Sequence, residues 1–112
     1  QYAGPKGCWV EFFGRPASAH KALALLSLEH DAPVAVCCAR RLERPMQFEM
    51  MTTAIADPRD TASDLGSIRE LTQWYTSELE GIIRRIPGQY WWLHRRWKDP
   101  RANRRSQRKK AA

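Results

Sequence analysis

Residues 33–39 read PVAVCCA, a run of small apolar side chains without a charge. A strand that shows water one of its faces alternates apolar and polar residues, because successive side chains point to opposite sides. A strand without that alternation suits burial on both faces, as in a parallel sheet covered by helices. Such a strand needs a neighbour along each edge and a layer over each face. With 112 residues the chain has room for one domain, so few other segments can supply that surround.

The neighbours read as follows. Residues 8–13, CWVEFF, are rich in β-formers and predict a strand stopped by Gly14. GRPAS reads as a turn, and Ser18 is placed to cap a helix over AHKALALLSLEH, since a serine oxygen can accept from a free amide of the first turn. Ala19, Ala22, Leu25 and Leu26 share one face of that helix, which DAP at 31–33 breaks. Strand, helix and the 33–39 strand make one βαβ unit. Residues 46–53, MQFEMMTT, predict a third strand, and ADPRDTASD a polar loop.

A long helix follows over roughly 64–86. Leu65, Ile68, Leu71, Tyr75, Leu79, Ile82 and Ile83 recur at helical spacing as one stripe. Ser67 and Glu70 have capping-box spacing, although Asp60 or Ser63 could also start the helix. Pro87-Gly88 ends it, Arg84 and Arg85 suit its C-terminus, and QYWWLHRRW reads as a short aromatic helical segment. The fold class is therefore α/β, ordered strand, helix, strand, strand, long helix, with an incomplete sheet.

Charge divides the chain. Nine of the nineteen Lys and Arg lie in 95–112 beside Asp99 alone, so this segment carries +8 and the rest −1. Residues 99–112 have almost no apolar side chain, which predicts a disordered basic tail behind a domain at 1–98. No apolar run approaches the ~18 residues of a membrane span, and no signal-peptide pattern opens the chain. Cys8, Cys37 and Cys38 include no C-x-x-C pair, so reduced, partly buried thiols are expected and no metal site or cofactor. His20 falls in the first turn of the first predicted helix, and His30 at its end, where the dipole favours a cation.

Chemistry concentrates in GQYWWLHRRWKDP, residues 88–100. His94 and Asp99 formally fit H-x-x-x-x-D, in which an imidazole takes a hydroxyl proton and a carboxylate orients the ring. Three cations separate them and compete for Asp99, and Pro100 pushes Asp99 out of helical conformation. Rings interleaved with cations also suit single-stranded nucleic acid. A third use is an anionic membrane surface, where Trp and Tyr favour the headgroup region and a Lys/Arg cluster is attracted.

The order of pieces resembles a known family. GCWVEFFGRPASAHKALALLSLEHDAPVAVCCARRLE, followed by LTQWYTSELEGIIRRIPGQYWWLHRRWK, is similar to the last third of the lipid A biosynthesis late acyltransferases (lauroyl/myristoyl transferases). The resemblance rests on Phe12, Phe13, Gly14, Arg15 and Pro16; on Ala32, Pro33, Val34, Arg40 and Arg41; and on the closing run Ile83, Arg84, Pro87, Gln89, Tyr90, Trp92, His94, Arg95, Arg96, Trp97 and Lys98. It covers about residues 4–98. The chain departs from the pattern at Glu11, where the family often has Pro, and at His20, where it usually has Ser or Thr.

The resemblance implies part of a glycerolphosphate-acyltransferase-like αβ sandwich. It implies transfer of a fatty acyl chain from acyl carrier protein or acyl-CoA to a glycolipid hydroxyl, at the cytoplasmic face of the bacterial inner membrane. The family's H-x-x-x-x-[D/E] motif and its membrane anchor lie upstream, so the expectation is a C-terminal portion, inactive alone, whose partners include the missing N-terminal half. Gln1 in place of Met agrees with that expectation. No catalytic residue is then expected here, and His94 is not the base. Arg15, Arg40, Arg41, His94, Arg95 and Arg96 are expected to bind substrate. A small basic nucleic-acid-binding module is the alternative; the acyltransferase reading implies no specific nucleic acid.

Overall fold

A computed structural model describes residues 2–98. The elements in chain order are β1 (Cys8–Phe12), β2 (Arg15–Ala19), α1 (Ala22–His30), β3 (Val34–Arg41), β4 (Phe48–Ala56), α2 (Ile68–Arg85) and a 3₁₀ turn at Pro87–Gln89. The mixed α/β class holds. The expected basic tail at 99–112, and Asp99 with it, lie outside the described residues.

The expected parallel βαβ unit does not form. β1 pairs antiparallel with β2, and β3 antiparallel with β4, in two separate two-stranded sheets. GRPAS, read as a turn, is itself strand β2. The turn is Phe13-Gly14, with φ of 51° and 68°, both in the left-handed region that a two-residue hairpin loop requires. Phe there costs about 1–2 kcal/mol of backbone strain. Contacts of its ring with Phe12, Trp92 and Trp97 outweigh that, at about 0.5–1.5 kcal/mol per aromatic pair. Ser18 caps nothing: it is buried in β2 and its hydroxyl donates to the Gly4 carbonyl at 2.6 Å.

α1 consequently begins without a side-chain cap, at Lys21, and its good helix formers suffice. It ends at Asp31, whose φ of 50° turns the chain. Its buried face is not the expected one. Ala24 and Ser27 are buried, while Ala22, Leu25 and Leu26 are exposed. Small residues face α2 because they let the two helices approach closely.

α2 is the spine, and it follows the sequence reading closely. Ser67 Oγ accepts from the Glu70 amide at 3.1 Å and Glu70 Oε2 accepts from the Ser67 amide at 3.2 Å, a complete capping box. Every residue of the expected stripe is buried or half-buried. Toward its N-terminus, Leu71 packs with Ala24, Val34 and Ala56. Toward its C-terminus, Ile83 packs with Phe12 and Ala17. Thr72 and Thr76 are also fully buried, and their hydroxyls donate to the carbonyls four residues back, at 2.5 and 2.7 Å.

Two glutamine side chains extend this framework. Gln73 Oε1 accepts from the Glu11 amide at 2.8 Å and Gln73 Nε2 donates to the Glu11 carbonyl at 3.0 Å. Gln89 does the same to Arg41, at 2.8 and 3.0 Å. Each carboxamide thus acts as a one-residue strand against an otherwise open edge.

β3 is buried on one face only, which corrects the expectation of two. Val34 and Val36 point inward. Ala35, Cys37 and Ala39 are exposed, and the residues opposite them on β4 are Ile55, Thr52 and Met50. Thr53 is an extra residue in β4, and its hydroxyl donates to the Val36 carbonyl at 3.2 Å. The outer face of this sheet is therefore apolar and uncovered. Among the described residues eleven large apolar side chains are exposed, as many as all the buried apolar residues, of which four are alanines.

Candidate functional site

The six expected substrate-binding residues do not form one site. Arg15 and Arg96 each lie over one ring of the Phe12–Trp97 stack, Arg40 and Arg41 lie at the end of β3, and His94 and Arg95 stay exposed in turns. The segment after Gln89 is a series of turns, not the expected helix.

Those turns are held by rings. Trp97 stacks on Phe12 with centroids 5.3 Å apart, and its indole Nε1 donates to the Phe12 carbonyl at 2.9 Å. Trp92 Nε1 donates to the Pro87 carbonyl at 2.7 Å. Tyr90 meets Trp92 edge-on at 4.9 Å. Three guanidinium groups cover this cluster: Arg96 over Phe12 at 4.4 Å, Arg84 over Phe13 at 4.9 Å and Arg15 over Trp97 at 5.5 Å. Arg96 Nη1 reaches Tyr90 Oη at 3.4 Å, and its buried Nε has no hydrogen-bond partner.

Glu80 joins this cluster to α2. It accepts from the Phe13 amide at 2.8 Å and pairs with Arg84 at 2.6 Å. The Phe13 amide first, and Arg84 as well, hold its carboxyl below the usual glutamate range against the opposing effect of burial.

The second grouping is a pocket between the β3–β4 loop and the end of α2. Arg40 pairs across the strands with Glu49 at 2.5 Å. Gln89 fixes the backbone of Arg41. Arg44 and Gln47 stand in the loop, where Leu42 donates to the Gln47 carbonyl and Gln47 to the Arg44 carbonyl.

Neither grouping contains a base paired with an acid. His94 has no side-chain hydrogen bond among the described residues, and Asp99 lies outside them, so the local H-x-x-x-x-D pattern gains no geometry. Among the described residues no His, Cys, Asp or Glu cluster of three or more is placed to hold a metal ion. The arginines of the second grouping offer charge-assisted hydrogen bonds to an anion. Sequence reasoning missed Gln89, Gln73, Arg44 and the ring contact of Arg84. Gln89 stands in the closing run, but nothing in its spacing shows that its side chain reaches β3.

The β1–β2 hairpin with Phe12-Phe13-Gly14-Arg15 at its tip, docked against the closing aromatic run, unites the two ends of the earlier resemblance in one cluster. No described helix is long and apolar enough to cross a membrane. No curated protein and no solved structure matches the chain. The family model for bacterial lipid A biosynthesis acyltransferases matches residues 1–99, which include every described residue, and the chain belongs to that family.

Proposed function

We propose that the chain is the C-terminal portion of an acyltransferase domain. In this reading the domain moves a fatty acyl group from acyl carrier protein or acyl-CoA to a hydroxyl of a lipid A precursor or related glycolipid. The remaining portion supplies an H-x-x-x-x-[D/E] motif, whose imidazole takes the proton from the acceptor hydroxyl as it attacks the thioester; the C–S bond breaks and the carrier or CoA thiol leaves with that proton. This portion supplies cations: Arg40 and Arg41 at the end of β3, and Arg15 and Arg96 on the aromatic cluster. The uncovered outer face of β3–β4 carries the reading. A strand pair that is apolar on both faces, with one face covered by α1 and α2, fits the middle of a larger αβ sandwich whose other layer belongs to the rest of the enzyme.

Work at the cytoplasmic face of the bacterial inner membrane follows from the same proposal, with an anionic lipid surface as a partner of the basic C-terminal segment. The nucleic-acid alternative is less well supported. Phe12 and Trp97 stack on each other and carry Arg96 and Arg15, so these rings are not free platforms for bases.

The test supplies the chain to a family member truncated before the segment it resembles, which retains the anchor and the H-x-x-x-x-[D/E] motif. Transfer of labelled acyl groups from acyl carrier protein to a lipid A precursor is expected from the combination and from neither part. Transfer by the 112-residue chain alone would contradict the proposal, as would an inactive combination in which both parts fold and associate.

A further inference from the structure

We infer that the pocket between the β3–β4 loop and the end of α2 is a binding site for a phosphate monoester. The pocket has a volume of about 550 Å³ and is lined by Arg40, Arg41, Arg44, Gln47, Gln89 and Glu43, among others. That is large enough for a phosphate together with a sugar-sized group.

Its charge favours an anion. Among the described residues Arg41 and Arg44 make no ion pair, and Glu43 is the one acid of the lining. Arg40 spends one terminal nitrogen on Glu49, while its buried Nε has no hydrogen-bond partner. The guanidinium fork matches phosphate oxygens in pairs. A phosphate monoester carries close to two negative charges near neutral pH. It therefore offers more to two unpaired guanidinium groups than a carboxylate can.

The site is also built to hold its shape. The Gln89 carboxamide grips both backbone groups of Arg41, and the pairing of Leu42 with Gln47 closes the loop that carries Arg44. Gln47 and Gln89 add neutral polar groups beside the cations. The inference deepens the acyl-transfer reading, since it names a part of an acceptor that this chain would hold, but it stands or falls on binding alone.

The full chain is titrated, by NMR, with inorganic phosphate and with glucose 1-phosphate, and by co-sedimentation with phosphatidylcholine vesicles with and without phosphatidic acid. Saturable shifts at Arg41, Arg44 and Gln89 are expected. Affinity should fall about tenfold or more in R44Q and in the double variant R41Q/R44Q. A variant with Arg104→Gln and Arg105→Gln in the basic C-terminal segment should bind inorganic phosphate and glucose 1-phosphate as the parent does. R44Q alters only a loop position, so it reports on the pocket even if the double variant fails to fold.

Binding of glucose 1-phosphate that R44Q weakens identifies a soluble phosphate ester. Binding confined to phosphatidic acid, and weakened by R44Q, identifies a lipid headgroup. Binding that never saturates, that survives R44Q, or that only the Arg104/Arg105 variant weakens overturns the inference. If phosphate does not bind while the reconstituted enzyme transfers acyl groups, the pocket assignment alone falls. If phosphate binds as expected and the reconstituted enzyme is inactive, the pocket stands and the acyl-transfer reading falls.

Discussion

Glu80 serves two partners with one carboxylate, the Phe13 amide and the Arg84 guanidinium. Both favour its ionised form, so the folded chain holds a proton at Glu80 less readily than the unfolded chain. Its stabilising effect is fully present above the ordinary glutamate pKa and is lost as pH falls through the lower, folded value. In E80Q an amide oxygen can still accept from Phe13, but the side chain no longer titrates. Urea midpoints measured from about pH 7 down to about pH 3 should fall more steeply for the parent than for E80Q. Equal slopes would remove Glu80 from the account. Asp57, which Arg59 holds down to about 2, contributes alike to both proteins and cancels in the comparison. At this scale the sequence was a partial guide. Composition and motif order singled out Arg15 and Arg96, yet nothing in the spacing of Phe13, Glu80 and Arg84 announces their contact.

Among the elements, α2 was the most legible and β2 the least. A helix of eighteen residues repeats its apolar period often enough to identify both its buried face and its caps. Ser67 anchors its start, and S67A removes the acceptor for the Glu70 amide. The expected loss is about 1 kcal/mol of stability, read as a lower urea midpoint with unchanged dependence on denaturant. S18A should leave α1 helicity unchanged, because Ser18 lies in β2 and not at the start of that helix. β2 was missed because Gly14, Pro16 and Ser18 are residues of turns. Gly14 is indeed in the turn, while Pro16 and Ser18 serve as strand because β2 is an edge, where a proline without an N–H can be accommodated. α1 shows Leu23, Leu25 and Leu26 to solvent because its contact with α2 selects for small residues. Periodicity marks the apolar side of a helix but not which neighbour it meets.

For the molecule as a whole, the excess of uncovered apolar surface decides behaviour. Phe48, Met50 and Ile55 on the outer face of β3–β4 are 61%, 74% and 66% exposed. A patch of this kind marks an interaction surface and, without its partner, a liability for self-association. Replacing Met50 and Ile55 by Lys should keep the isolated chain monomeric in sedimentation at concentrations where the parent associates. Thermal stability should change by no more than about 0.5 kcal/mol, since neither side chain is buried. If the variant also loses acyl transfer when combined with the truncated enzyme, the same face is the contact between the two portions. Unchanged association of the variant would move the sticky surface elsewhere, with the exposed leucines of α1 as the next place to look.

The sequence by itself determined the α/β class, the long capped helix with its buried stripe, three of the four strands and the family to which the motifs belong. Each of these is local, or is repeated along the chain often enough to be read without knowing what lies opposite. Only the tertiary structure decided the pairing into two antiparallel hairpins, the exposed side of β3 and the face by which α1 docks. It also decided the union of Phe12, Phe13, Trp97 and three arginines in one cluster, and the reach of Gln89 across to Arg41. Those contacts join residues far apart in the chain. They depend on which surfaces close on each other, and side-chain pattern alone does not record that choice.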